Sequence, residues 1–153
     1  VSQASHPDPI LERRAAGESV REVREESEVS EPDRVMQTIK DGPDANCMNA
    51  CLASYFRCPI SETPELHAST WTQEIREWVR PKGYGYVTIA VPTEMVFTET
   101  FSDGYLIVSG VSKRGRLHAV IYKNGVLWHD PHPDSDGVDK VEEVDFFYPL
   151  EPS

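Results

Sequence analysis

Residues 118–133 read HAVIYKNGVLWHDPHP, from His118 to Pro133. Two apolar runs flank Asn124-Gly125, a dipeptide that tolerates positive φ at both central positions of a tight turn. The stretch is predicted to be a β-hairpin. With the turn at 124–125, opposing positions sum to about 249, so His118 faces position 131 and Asp130 is its near neighbour across the hairpin. A carboxylate there can accept an imidazole N–H and fix the ring's tautomer and orientation.

Outward from the hairpin, Tyr86–Val91, Tyr105–Val108 and Val141–Phe147 are rich in β-branched and apolar residues, as are Leu117–Tyr122 and Val126–Trp128 within it. Gly110–Gly115 reads as a second hairpin loop, and its polar, basic surroundings from Ser109 to Arg116 border either a groove or a plain hairpin tip. Residues 84–148 are thus predicted to form an antiparallel sheet of four to six strands. Before them the period changes. Trp71, Ile75, Trp78 and Val79 repeat at helical spacing, with a capping-box pattern at Thr70 and Gln73 and a stop at Pro81 and Gly83. Its tryptophans are expected in the core. Helices first and sheet afterwards make an α+β domain.

The earlier helix carries the chemistry. Asp41–Phe56 reads DGPDANCMNACLASYF, in which Met48, Leu52, Tyr55 and Phe56 share one helical face and Gly42 and Pro43 form the preceding loop. Asn46 is a good N-cap residue, which puts Cys47 in the first turn. Unpaired N–H groups and the positive end of the dipole favour a thiolate there.

The whole chain has 153 residues, 39% hydrophobic, with a net charge of −11. That length suits one core. Residues 1–33 carry nine acids and four bases, and 129–153 carry eight acids and one base, whereas 34–128 is close to neutral. The two acidic ends read as solvated surface, and nucleic acid is excluded as a partner for want of a basic face. No apolar run is long enough for a membrane helix, and the N-terminus lacks a signal pattern. The first residue is Val, as expected of a processed chain or a piece of a longer precursor. Residues 1–33 are expected to be an acidic arm or linker, with a charged helix over Leu11–Val29 as one form of it, and 34–153 the folded domain. Cys47, Cys51 and Cys58 form no paired framework, so reduced thiols in a reducing, cytoplasmic compartment are expected, which includes the cytoplasm of a host cell into which such a chain is delivered.

A nucleophile at a helix N-terminus, a His on a strand and a carboxylate on the next strand form a papain-like arrangement. DGPDANCMNACLA resembles the nucleophile motif of double-glycine peptidases, and HAVIY with Asp130-Pro131 resembles that family's His strand and Asp-Pro. Asn46-Cys47 with Asn49-Ala50, and HAV with the later Phe147–Pro149, also resemble picornaviral leader proteases. The resemblance covers roughly 41–148. It implies a papain-like fold with Cys47 as nucleophile, His118 as general base and acid, and Asp130 as orienter. Asp41 stands where the family's motif has Gln. A carboxylate there would repel a developing oxyanion, so the expected donors are the Cys47 N–H with Asn46 or Gln37.

The expected function is a cysteine hydrolase cleaving an amide, most simply a peptide bond, with a protein or peptide substrate, no membrane, no metal and no cofactor. The alternatives are a glutamine deamidase or acyl-transferase effector of the same fold, and an inactive papain-like interaction module whose Asp41 marks lost chemistry. His129, Asp130 and His132 with Cys47 and Cys51 match no zinc spacing. His129 and His132 are expected at a loop or the site's rim, His67 in a surface loop, and Cys51 in the core.

Overall fold

A five-stranded antiparallel sheet carries two helices on one face. The computed structural model describes residues 31–42, 45–92 and 103–152. The expected helix at Leu11–Val29, nearly all of the expected arm, and Pro43 lie outside these residues. In chain order the elements are α1 (Cys47–Phe56), a 3-10 turn at Ile60–Glu62, α2 (Trp71–Val79), β1 (Tyr84–Ala90), β2 (Tyr105–Val111), β3 (Leu117–Lys123), β4 (Val126–His129) and β5 (Glu143–Pro149). All five strands coincide with the β-branched runs of the sequence. Their spatial order is β1-β5-β2-β3-β4. The last strand thus returns to the interior of the sheet, between the first two.

The β3–β4 turn takes φ of 51° at Asn124 and 83° at Gly125, the positive pair this turn demands. Lys123 faces Val126 and Tyr122 faces Leu127, but Ile121 faces His129 across a bulge. One extra residue on β4 therefore moves the register beyond the turn by one, a shift that the simple sum of positions misses.

The helix-bearing face holds the main core: Met48, Cys51 and Leu52 of α1, Ile75 and Val79 of α2, and Tyr86, Ile107, Ala119 and Ile121 from the sheet. Full burial of each large aliphatic here stabilises the fold by about 1.5–3 kcal/mol. On the other face Val108, Val120 and Val144 pack with Val141. α1 departs from the one-faced helix that its periodicity suggests. Ala50, Ala53 and Ser54 are buried along with Met48, Cys51 and Leu52. The small residues leave room for the segment before the helix, and the Val35 N–H donates to Ser54 Oγ at 2.9 Å. α2 is the ordinary amphipathic case, with Ile75 and Val79 inward.

Two capping expectations need correction. Asn46 makes no side-chain cap bond to α1. Its Oδ1 instead accepts from the N–H groups of Thr38 and Ile39. The capping box at Thr70 and Gln73 does not form either. Thr70 Oγ1 donates to Glu74 Oε1 at 2.8 Å, while Gln73 Nε2 donates to Glu77 Oε1 at 3.0 Å. The ionised carboxylate one residue further on is the stronger acceptor.

Candidate active site

α1 starts above the sheet where β3 begins, and the two elements bring Cys47 and His118 together. The Cys47 sulfur is hydrogen-bonded to the His118 ring and also receives the main-chain N–H groups of Ala119 and Met48. His118 Nε2 donates to Asp130 Oδ1 at 2.7 Å, so Nδ1 is the nitrogen that faces the sulfur. Asp130 is itself fixed: Oδ1 accepts the His132 N–H and Oδ2 the Gly137 N–H, each at 2.8 Å. Both side chains of the His118–Asp130 pair are buried.

The electrostatics follow from this line of three. Burial works against charge on the Cys47 sulfur. The His118 hydrogen bond outweighs it, helped by the Ala119 N–H, and holds the thiol below its ordinary value. Burial also works against an imidazolium, but Asp130 first and Cys47 next push His118 up to about 9. Asp130 is lowered, because the bonds from His118, His132 N–H and Gly137 N–H overcome burial. All three directions favour a thiolate–imidazolium pair backed by a carboxylate. Cys51, one turn on, is fully buried and its thiol is raised well above the ordinary range by desolvation. Three thiols within twelve residues are thus chemically distinct, and all are free.

Cys47 and His118 line a cleft of about 670 Å³. One wall is Thr38–Ile39, the other is the stretch from Ile60 to Trp71, and the floor is Ser109 with Leu117–Ala119. Two asparagines flanking the cysteine clamp the two walls. Asn46 holds the first through Thr38 N–H, Ile39 N–H and the Thr38 hydroxyl. Asn49 holds the second: its Nδ2 donates to Thr63 Oγ1 at 3.0 Å and to Pro64 O at 2.8 Å. The sequence offered a signal for Asn49, a lone amide in the first turn of an otherwise apolar helix.

Of the two side chains expected as oxyanion donors, Gln37 is placed elsewhere. Gln37 is buried, and its Nε2 donates to the carbonyls of both Ile39 and Lys40, which leaves no N–H for a substrate. The Ile39 carbonyl also accepts the Asn46 N–H, so the Gln37 amide ties down a turning loop instead of facing the cleft. Asn46 Oδ1 is taken by Thr38 and Ile39, but Nδ2 gives only one of its two N–H groups, to the Thr38 hydroxyl, and the residue lines the cleft, so its amide remains a candidate donor. Beside it stand the N–H groups of the first turn of α1, which have no intrahelical acceptors. Asp41 is 72% exposed, lies 3.9 Å from His132 Nε2 and is not among the cleft-lining residues.

His129 and His132 are not at the rim. Both are buried. His129 Nε2 donates to Val35 O at 2.7 Å and pins the segment before α1 to the sheet. His132 packs edge-on against the His118 ring with centroids 6.2 Å apart. His67 is exposed, borders the cleft, and bonds Glu74 Oε1 at 2.6 Å. Trp71 both packs on the core and lines the cleft. Among the described residues no group of three or more His, Cys, Asp or Glu is placed to hold a metal ion, and no helix is long and apolar enough to cross a membrane.

No family model matches this chain, and neither a curated protein nor a solved structure matches it significantly.

Proposed function

We propose that this domain is a papain-like cysteine hydrolase that cleaves an amide, with a peptide bond as the first choice. The carrying observation is the line Cys47–His118–Asp130 at the edge of a cleft much larger than one side chain needs. The Cys47 thiolate attacks the carbonyl carbon. The oxyanion is met by the N–H groups at the start of α1, in a site where the helix dipole favours negative charge. His118 gives its Nδ1 proton to the leaving amine as the C–N bond breaks. Water then attacks the thioester with His118 as base, returning the free acid and the thiolate–imidazolium pair. Asp130 holds the ring in the required tautomer throughout.

A deamidase or acyl transferase passes through the same acyl-enzyme. The size of the cleft, about 670 Å³ and lined by residues from Thr38 to Ala119, favours a chain segment over an isolated side-chain amide. The exposed side chain of Asp41, absent from the cleft lining, speaks against reading it as a mark of lost chemistry. Iodoacetamide provides the test. Cys47 should alkylate much faster than Cys51 and Cys58 at neutral pH, and His118→Ala should abolish the advantage. Equal labelling of Cys47 and Cys58 would defeat the proposal. Intact-mass analysis of protein substrates separates cleavage, which gives fragments, from deamidation, which leaves the chain whole.

A further inference from the structure

Ser109 is a cleft residue that the reaction above leaves unused. It lies on β2 directly opposite Ala119, whose N–H reaches the Cys47 sulfur. Ile107, two residues back on the same strand, packs beneath the helices, so Ser109 faces the same side of the sheet. The residue is 1% exposed, yet it lines the cleft and its hydroxyl has no hydrogen-bond partner. Its carbonyl is already committed to the Glu142 N–H. A buried hydroxyl left unpaired is costly and rare, and one that lines a cavity acquires its partner when the cavity fills.

The surroundings define that partner. Ala119, opposite Ser109 and also lining the cleft, has only a methyl side chain beside it. Ile60, Leu66, Trp71 and Leu117 give the cleft an apolar lining above it. On the other side of Ser109, β5 places Glu143 in register. A carboxylate arriving at Ser109 would meet a like charge.

We infer that Ser109 is the floor of a substrate subsite next to the nucleophile, taking a side chain with an apolar stem and an uncharged polar tip, an amide or a hydroxyl. The tip donates to Ser109 Oγ, or accepts from it. This rests on the hydrolase reading for its setting and adds the class of residue beside the cleaved bond.

The test uses peptide pairs that differ only in the tip: Gln against Met, Asn against Leu, Thr against Val, at each position flanking the bond. The native chain should prefer the polar member at one position. Ser109→Ala should lower kcat/KM for that member by roughly three- to tenfold and leave its apolar isostere unchanged, while Ser109→Thr retains the preference. Cys47 alkylation, measured on the same samples, should be unchanged by Ser109→Ala. A fall in that rate would make Ser109 a support for the catalytic pair and overturn the subsite. Binding of the same pairs to the Cys47→Ala chain separates the two proposals. Discrimination that depends on Ser109, with no hydrolysis by the native chain, would remove the hydrolase and keep the subsite. Hydrolysis without discrimination would keep the hydrolase and remove the subsite.

Discussion

Asp145→Asn should make this protein more stable at neutral pH. Asp145 lies on β5 between Thr88 of β1 and Ile107 of β2 and is 2% exposed. The Tyr86 hydroxyl donates to its Oδ1 at 2.6 Å, while Oδ2 has no hydrogen-bond partner. Desolvation dominates and pushes the carboxyl up to about 6 from 3.8, against the Tyr86 hydrogen bond. The sign follows. A carboxyl raised on folding favours the folded state fully only below 3.8, and that contribution is lost as pH rises through about 6. Ionising it at pH 7 therefore costs up to about 3 kcal/mol, and about half of that at pH 5. Asparagine keeps the acceptor for Tyr86, removes the charge and offers its NH₂ to Thr88. Urea titration at pH 7 should show the midpoint rising by roughly 1–2 M, with a smaller gain at pH 5. A midpoint at pH 7 equal to or below that of the native chain would refute the reasoning, because it would mean that the anion is held by partners worth more than its desolvation. Cys47 alkylation should not change, since Asp145 takes no part in the site.

Other consequences concern the site and the sheet. Activity should fall on an alkaline limb near pH 9, where His118 loses the proton that it gives to the leaving amine; a pH profile of kcat/KM reads this directly. Asp130→Asn removes the hydrogen-bonded charge that does most to raise His118. The alkaline limb should therefore move toward the ordinary histidine range, with a loss of roughly 10²–10⁴ in kcat, and NMR titration of the ring checks the shift independently. Gly110→Ala should destabilise the fold by more than about 4 kcal/mol. A Cβ there would sit 1.9 Å from the Lys140 carbonyl, and Gly110 is the register partner of His118. Thermal melting and soluble yield measure the loss.

The local features were legible because local physics sets them. Asn124-Gly125 closes its hairpin whatever lies elsewhere, since few other dipeptides take positive φ twice. Alternation and β-branching marked all five strands, and helical spacing marked both helices. The hairpin also tied His118 to Asp130 in advance, since twelve residues of β-ribbon leave little freedom. The bulge at β4 and the buried places of His129 and His132 were not legible. The segment before α1 lies against the end of β4 and bonds to Ser54, His129 and Pro131, contacts between residues far apart in the chain.

Side-chain amides show the same limit. Gln37 and Asn46 were sound oxyanion candidates by residue type, and a short-range rule made Asn46 a cap. The loop before α1 claimed both Gln37 N–H groups and the Asn46 oxygen, as an amide bonds wherever backbone groups need partners. Sequence alone therefore determined the chemistry available here: a cysteine at a helix start, and an imidazole with its carboxylate on one hairpin. Only the tertiary structure decided that α1 is laid across the mouth of β3. The return of β5 between β1 and β2 completes the sheet that supports it, and no local preference encodes a pairing between strands so far apart in the chain.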